Sequence, residues 1–271
     1  MPIARTLAAV VAALAVAAAP AAAKTETARS GPVTATFSFK RVDDLRYRHL
    51  HLTVQRDGTT VFDAPARTAD CVEPFCVPGG GLQGPSVRVA DLDGDGPPDV
   101  LLDLFTGGAH CCVESELIAL SADGRVRRFQ HGWGDAGYRL SDLDGDGLAE
   151  FVSADDRFAY AFTAYAFSAL PVQVLSFRGD RFADVTASYP GRVRADARRW
   201  RRAYRKAHAD AFPQGVLAAW AADRYRLGDR REALRFVRAQ ARHGKLRAAI
   251  GERRARRFPA KLDRLLRRWG Y

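Results

Sequence analysis

Residues 33–40 alternate apolar and polar side chains (V-T-A-T-F-S-F-K), and residues 50–54 and 60–62 keep the same period of two. That period gives an extended strand one apolar and one wet face. With Arg56-Asp57-Gly58 as a turn between the last two, the stretch is predicted to be a β-meander. The polar residues 25–32 ahead of it read as loose chain. Residues 68–85, rich in Gly, Pro and Cys, read as a long loop. Past about Val193 the period changes to that of helices. Residues 194–209, 214–226, 230–243, 245–257 and 260–269 are predicted as four or five helices, with Gly228, Gly244 and Pro259 as punctuation. Leu217, Trp220, Ala221 and Tyr225, then Leu234, Val237 and Ala241, fall at core spacings. Trp200, Tyr204, Phe236 and Trp269 also read as core aromatics.

Between these regions one unit occurs twice. The first copy runs from Val87-Arg88-Val89-Ala90 through D-L-D-G-D-G-P-P-D (residues 91–99) to Val100-Leu101-Leu102-Asp103-Leu104, residues 116–120, an Asp123-Gly124 turn and residues 126–129. The second runs from Tyr138-Arg139-Leu140-Ser141 through D-L-D-G-D-G-L-A-E (residues 142–150) to Phe151-Val152, residues 172–175, a Gly179-Asp180 turn and residues 182–185. Each copy reads as three or four antiparallel strands with the acidic loop joining the first two, much like a propeller blade. Four carboxylates within nine residues repel one another unless a cation or solvent separates them. Alternate Asp residues on a tight turn can aim their oxygens at one centre. Gly96 and Gly147 follow the third Asp, where the chain must turn sharply.

Strand, D-x-D-G-D-G-x-x-D/E, strand, repeated at about fifty residues, resembles the FG-GAP and VCBS repeats of integrin-alpha-type β-propellers and of many secreted bacterial proteins. The resemblance implies two calcium ions. It assigns one to Asp91, Asp93, Asp95 and Asp99 with the Pro97 carbonyl, and the other to Asp142, Asp144, Asp146 and Glu150 with the Leu148 carbonyl. Hard oxygen donors on a flexible loop suit calcium better than zinc or magnesium. A closed propeller needs about four blades. Two repeats and a meander therefore point to a partial propeller or stacked antiparallel sheets, mainly β, followed by an α-helical C-terminal region.

Charge divides the chain the same way. Residues 191–271 hold 25 Lys and Arg against 7 Asp and Glu, so the net +11 of the whole chain hides an acidic front and a strongly basic tail. Arg198-Arg199-Trp200-Arg201-Arg202 and Arg253-Arg254-Ala255-Arg256-Arg257 suit an anionic envelope polymer or membrane surface. No nucleic-acid fold signature accompanies them, so nucleic acid is not the expected partner. Residues 1–23, with Arg5, an apolar run and Ala21-Ala22-Ala23, read as a secretory signal. The expected organisation is thus a signal peptide over 1–23, a β-repeat domain over 24–190 and a basic helical region over 191–271, in a secreted or cell-envelope protein.

Four cysteines in an exported chain favour two disulfides. Adjacent Cys111 and Cys112 would close a strained ring, so each is expected to bridge to one of Cys71 and Cys76. A structural zinc site on the same four is the competing reading, although their spacing does not fit C-x2-C knuckles. The alternative to a binding or scaffold protein is a hydrolase with a site near His110 and the acidic loops, but disulfide bonding of the neighbouring thiols removes the nucleophile, and no catalytic residue is assigned. His49 and His51 share a strand face without an identifiable third ligand. Arg178-Gly179-Asp180 spells an adhesion tripeptide, but its position is that of a hairpin turn.

Overall fold

A computed structural model of the chain describes residues 23–79, 84–107, 112–208 and 212–271. The first sheet is the meander β1(Ala23–Ser30), β2(Val33–Arg41), β3(Tyr47–Arg56) and β4(Thr59–Pro65), paired in that order. Residues 25–30 are therefore not loose. They form most of β1, laddered to β2 from Ala23 opposite Lys40 to Ser30 opposite Val33. An edge strand draws its order from backbone pairing and needs no apolar face, so its polar side chains gave no periodic signal.

The second sheet holds β5(Val77–Pro78), β6(Val87–Ala90), β7(Asp99–Phe105), β8(Val113–Leu120) and β9(Val126–Gly134). β6 and the short β5 share one edge of β7 in tandem, and β7–β8–β9 follow antiparallel. The third sheet is β10(Arg139–Ser141), β11(Glu150–Ala154), β12(Val172–Arg178) and β13(Arg181–Asp184). The two repeats are thus two antiparallel sheets, each with an acidic loop between its first full-length pair, β6–β7 and β10–β11.

The middle sheet is buried on both faces, and the period of two decides which residue serves which side. Val100, Leu102, Leu104, Ile118 and Leu120 meet Val33, Phe37, Leu52 and Val54 of the first sheet. Leu101, Leu117, Ala119 and Trp133 meet Phe151, Leu175 and Phe177 of the third. Each large apolar side chain buried this way contributes about 1.5–3 kcal/mol. The result is three stacked sheets, with no closed barrel among them.

β11 stops short, and residues 155–171 leave the sheet to place Phe158, Phe162 and Leu170 in a third core built by helices. These helices are α1(Pro190–Lys206), α2(Gln214–Arg226), α3(Arg230–His243), α4(Lys245–Ile250) and α5(Glu252–Arg268). Leu217, Trp220, Ala221, Tyr225, Leu234, Val237 and Ala241 are buried as their spacing requires. The break expected at Pro259 lies eight residues earlier, at Gly251, whose φ of +77° suits only glycine without strain. Pro259 is buried inside α5 next to Phe258 of that core. The helical region is fastened to the sheets: Arg226 donates to the Val172 carbonyl and pairs with Asp184, and the Tyr271 hydroxyl donates to Asp155 at 2.6 Å. No helix among the described residues is long and apolar enough to cross a membrane.

Candidate metal centre

Each acidic loop gathers three of its four expected acidic ligands. One carboxylate oxygen from each of Asp91, Asp93 and Asp95 falls within 4.8 Å of the others, and Asp142, Asp144 and Asp146 repeat the arrangement. The backbone causes it. The amides of Gly94 and Gly96 donate to Asp91 at 2.7 and 3.1 Å, and those of Gly145 and Gly147 donate to Asp142 at 2.7 and 3.0 Å. All four glycines take positive φ, between +81° and +101°, which lets the chain wrap round the first Asp. Burial and then the charges of Asp93 and Asp91 push the Asp95 carboxyl above its ordinary value. A hard cation relieves that repulsion, so the donor set fits calcium.

The fourth carboxylate has another task. Asp99 is fully buried at the head of β7 and accepts from the amides of Leu92 and Leu120 at 3.0 and 3.1 Å. Burial pushes its pKa up to about 7. Glu150 is likewise buried at the head of β11 and accepts from the Leu143 amide at 3.0 Å. Both residues clasp the base of their loop to the sheet and stand outside the three-carboxylate groups. Pro97 and Leu148, the expected carbonyl donors, occupy the seventh position of each loop, half-buried.

The two loops touch. A Cβ on Gly94 would lie 2.7 Å from Cδ1 of Leu148 in the other loop. Arg178 ties them from the β12–β13 hairpin: its guanidinium donates to the Leu92 carbonyl at 2.7 Å and stands 3.5 Å from Glu150 and 3.9 Å from Asp146. Asp180 of the same tripeptide pairs with Arg127. Arg178-Gly179-Asp180 is therefore a structural hairpin with both charged ends engaged. The Tyr189 hydroxyl, just before α1, donates to Asp144 at 3.2 Å, so the second loop also reaches the helical region.

The cysteine pairing differs from expectation. Cys71 and Cys76 are bonded to each other, their Cα atoms 4.9 Å apart, which overturns bridges from this pair to Cys111 and Cys112. A tight turn brings the two within reach locally, and Glu73-Pro74 between them has a cis peptide. Cys112 is also disulfide-bonded, and disulfide bonding of Cys71, Cys76 and Cys112 removes the four-cysteine zinc alternative. Cys111 and His110 lie outside the described residues. His51 bonds Asp63 at 2.8 Å, whereas His49 sits at positive φ where β2 and β3 shift register.

Two polar centres went unassigned from the sequence. Between the second and third sheets, buried Asp103 pairs with Arg88 and accepts from Ser115 and Tyr138, while the Trp133 indole donates to Ser115 at 2.8 Å. Between α1 and β12, Asp196 accepts from the Val172 amide at 2.8 Å and the Trp200 indole at 2.9 Å, and pairs with Arg199 at 2.7 Å. Behind it lies Asp223, fully buried, with no hydrogen-bond partner for either oxygen among the described residues. Burial, then the charge of Asp196, pushes its pKa up to about 9. The local signals existed, as an Asp inside the apolar run A-A-W-A-A-D and another four residues before a Trp, but only packing shows that they meet.

Comparison with known proteins covers part of the chain. A probable thylakoid lumen protein, sll0997, of Synechocystis sp. is 34% identical over 151 residues, which is 53% of this chain and 44% of its own length. An uncharacterized protein, y4bJ, of Sinorhizobium fredii is 30% identical over 155 residues, 52% of this chain and 22% of its own. The chain thus spans less than half the length of either. No solved structure matches. Residues 193–270, the helical region from the first turn of α1 onward, match the family described as the sll0997 C-terminal domain.

Proposed function

We propose that this is an exported binding or scaffold protein whose β region is stabilised by two calcium ions and whose basic helical region contacts an anionic partner of the cell envelope. The observation that carries the calcium reading is the pair of three-carboxylate groups, each within 4.8 Å, set side by side at the junction of two sheets. Asp91, Asp93 and Asp95 hold one ion, and Asp142, Asp144 and Asp146 the other. Calcium there supplies charge neutralisation and a fixed loop shape, consistent with FG-GAP- or VCBS-type repeats. Support for export comes from the signal-like residues 1–23 and from the lumenal name of the Synechocystis relative.

Calcium titration followed by thermal melting tests the reading. At ten times its dissociation constant, each ion contributes about 1.4 kcal/mol. The melting midpoint should rise with calcium and fall with chelator, and Asp93→Ala and Asp144→Ala should each remove part of the response. A midpoint that chelator leaves unmoved sinks the calcium reading.

A further inference from the structure

One open cleft, of about 650 Å³, lies between the third sheet and α1. Arg192, Asp196, Arg199 and Arg202 line one wall at intervals of three and four residues, which places them on one face of α1. Arg139, at the start of β10, comes from the other side. The floor is apolar, from Val152 and Ala154 of β11 and Val172 of β12. Four guanidinium groups therefore share one concavity with a single carboxylate, and that carboxylate is taken by Arg199. Among the described residues no acidic group pairs with Arg139, Arg192 or Arg202.

Like charges gathered in a partly apolar cleft raise each other's energy unless an anion joins them. The guanidinium fork matches phosphate oxygens two at a time, and a volume of this size is that of a small-molecule site. Part of the wall is already fixed. Arg199 is held by Asp196 and stacks over the Trp200 ring with 4.0 Å to its centroid, while Asp196 is itself held by the Val172 amide and the Trp200 indole. We propose that this cleft binds an organic phosphate carrying more than one negative charge, with Arg139, Arg192 and Arg202 as its direct ligands, Arg199 positioned beside them and the apolar floor under its carbon skeleton. This narrows, and rests on, the anionic-partner part of the proposed function. The chemistry is shared by a free phosphorylated molecule and by a phospholipid headgroup.

The test titrates pyrophosphate into the full mature chain by calorimetry, beside Arg139→Gln and Arg202→Gln and a control, Arg48→Gln, which is exposed on β3 of the first sheet. Vesicles of phosphatidylcholine with and without phosphatidylglycerol form the second arm. Saturable 1:1 binding of pyrophosphate, weakened about tenfold by each cleft variant and unchanged in the control, is the expected result. Loss of phosphatidylglycerol-dependent vesicle binding in the same variants makes the headgroup the source. Vesicle binding that persists in them beside lost pyrophosphate binding makes it a free phosphate. Absence of saturable binding, or equal weakening by Arg48→Gln, overturns the cleft. If phosphatidylglycerol vesicles still bind in that case, the broader anionic-partner reading survives without it.

Discussion

Asp223→Asn exchanges a buried carboxyl for an amide of the same shape. Asp223 is held protonated by its surroundings, with a pKa pushed from 3.8 to about 9. Between those two values the unfolded chain gives up a proton that the folded chain keeps, so stability is lost as pH rises through the window. The slope is at most about 1.4 kcal/mol per pH unit, which makes about 4 kcal/mol between pH 5 and pH 8. Water entering the ionised site lowers that figure, so it is a ceiling. An asparagine keeps the shape of the protonated carboxyl and does not titrate. Urea unfolding of both proteins at pH 4, 5, 6, 7 and 8 and constant ionic strength should give similar stability at pH 4, close to the ordinary carboxyl pKa. The variant should become the more stable of the two by a margin that grows with pH. Parallel pH profiles, or a variant weakened equally at every pH, would refute the assignment of a trapped proton to this residue.

Asp99→Ala leaves the buried amides of Leu92 and Leu120 without acceptors, at about 1–3 kcal/mol each, and should lower the urea midpoint well beyond the effect of Asp99→Asn, which keeps one acceptor. Equal midpoints would show that the clasp is dispensable. Arg178→Met removes a cation 3.5 Å from Glu150 and 3.9 Å from Asp146, so the second loop should bind calcium more tightly in titration calorimetry while the protein melts lower. Weaker calcium binding there would count against the arginine as a competitor. Replacing Cys71 and Cys76 with serine opens a loop of sequence separation 5, small enough that the expected loss is only about 2 kcal/mol by denaturant unfolding.

What the sequence revealed divides along physical lines. The repeated sheets were legible because the acidic loop marks the junction of two strands and the flanking residues keep strand periodicity. Leu101 and Leu102 face opposite cores, and both are apolar because the middle sheet is covered on each side. β1 escaped because an exposed edge strand leaves no apolar trace. Pro259 misled because a proline is ordinarily a breaker, whereas here it is buried within α5 and the helix runs through it. The loop Asp residues were legible as a group, but the separate duty of Asp99 and Glu150 was not. Their partners are backbone amides, and Leu120 lies 21 residues from Asp99. The pairing of Cys71 with Cys76 depended on a local turn, and the meeting of Asp196 with Asp223 on helix packing, neither of which spacing encodes.

The contact between Gly94 and Leu148 has a bearing on how this protein can change. With 2.7 Å between a would-be Cβ and Leu148 Cδ1, the two loops compete for one small volume. A Cβ gained at Gly94 would push the Leu148 methyl aside, on top of the strain of its positive φ. One motif written twice is thus a packed pair, in which a change at Gly94 is felt by Leu148 in the other copy.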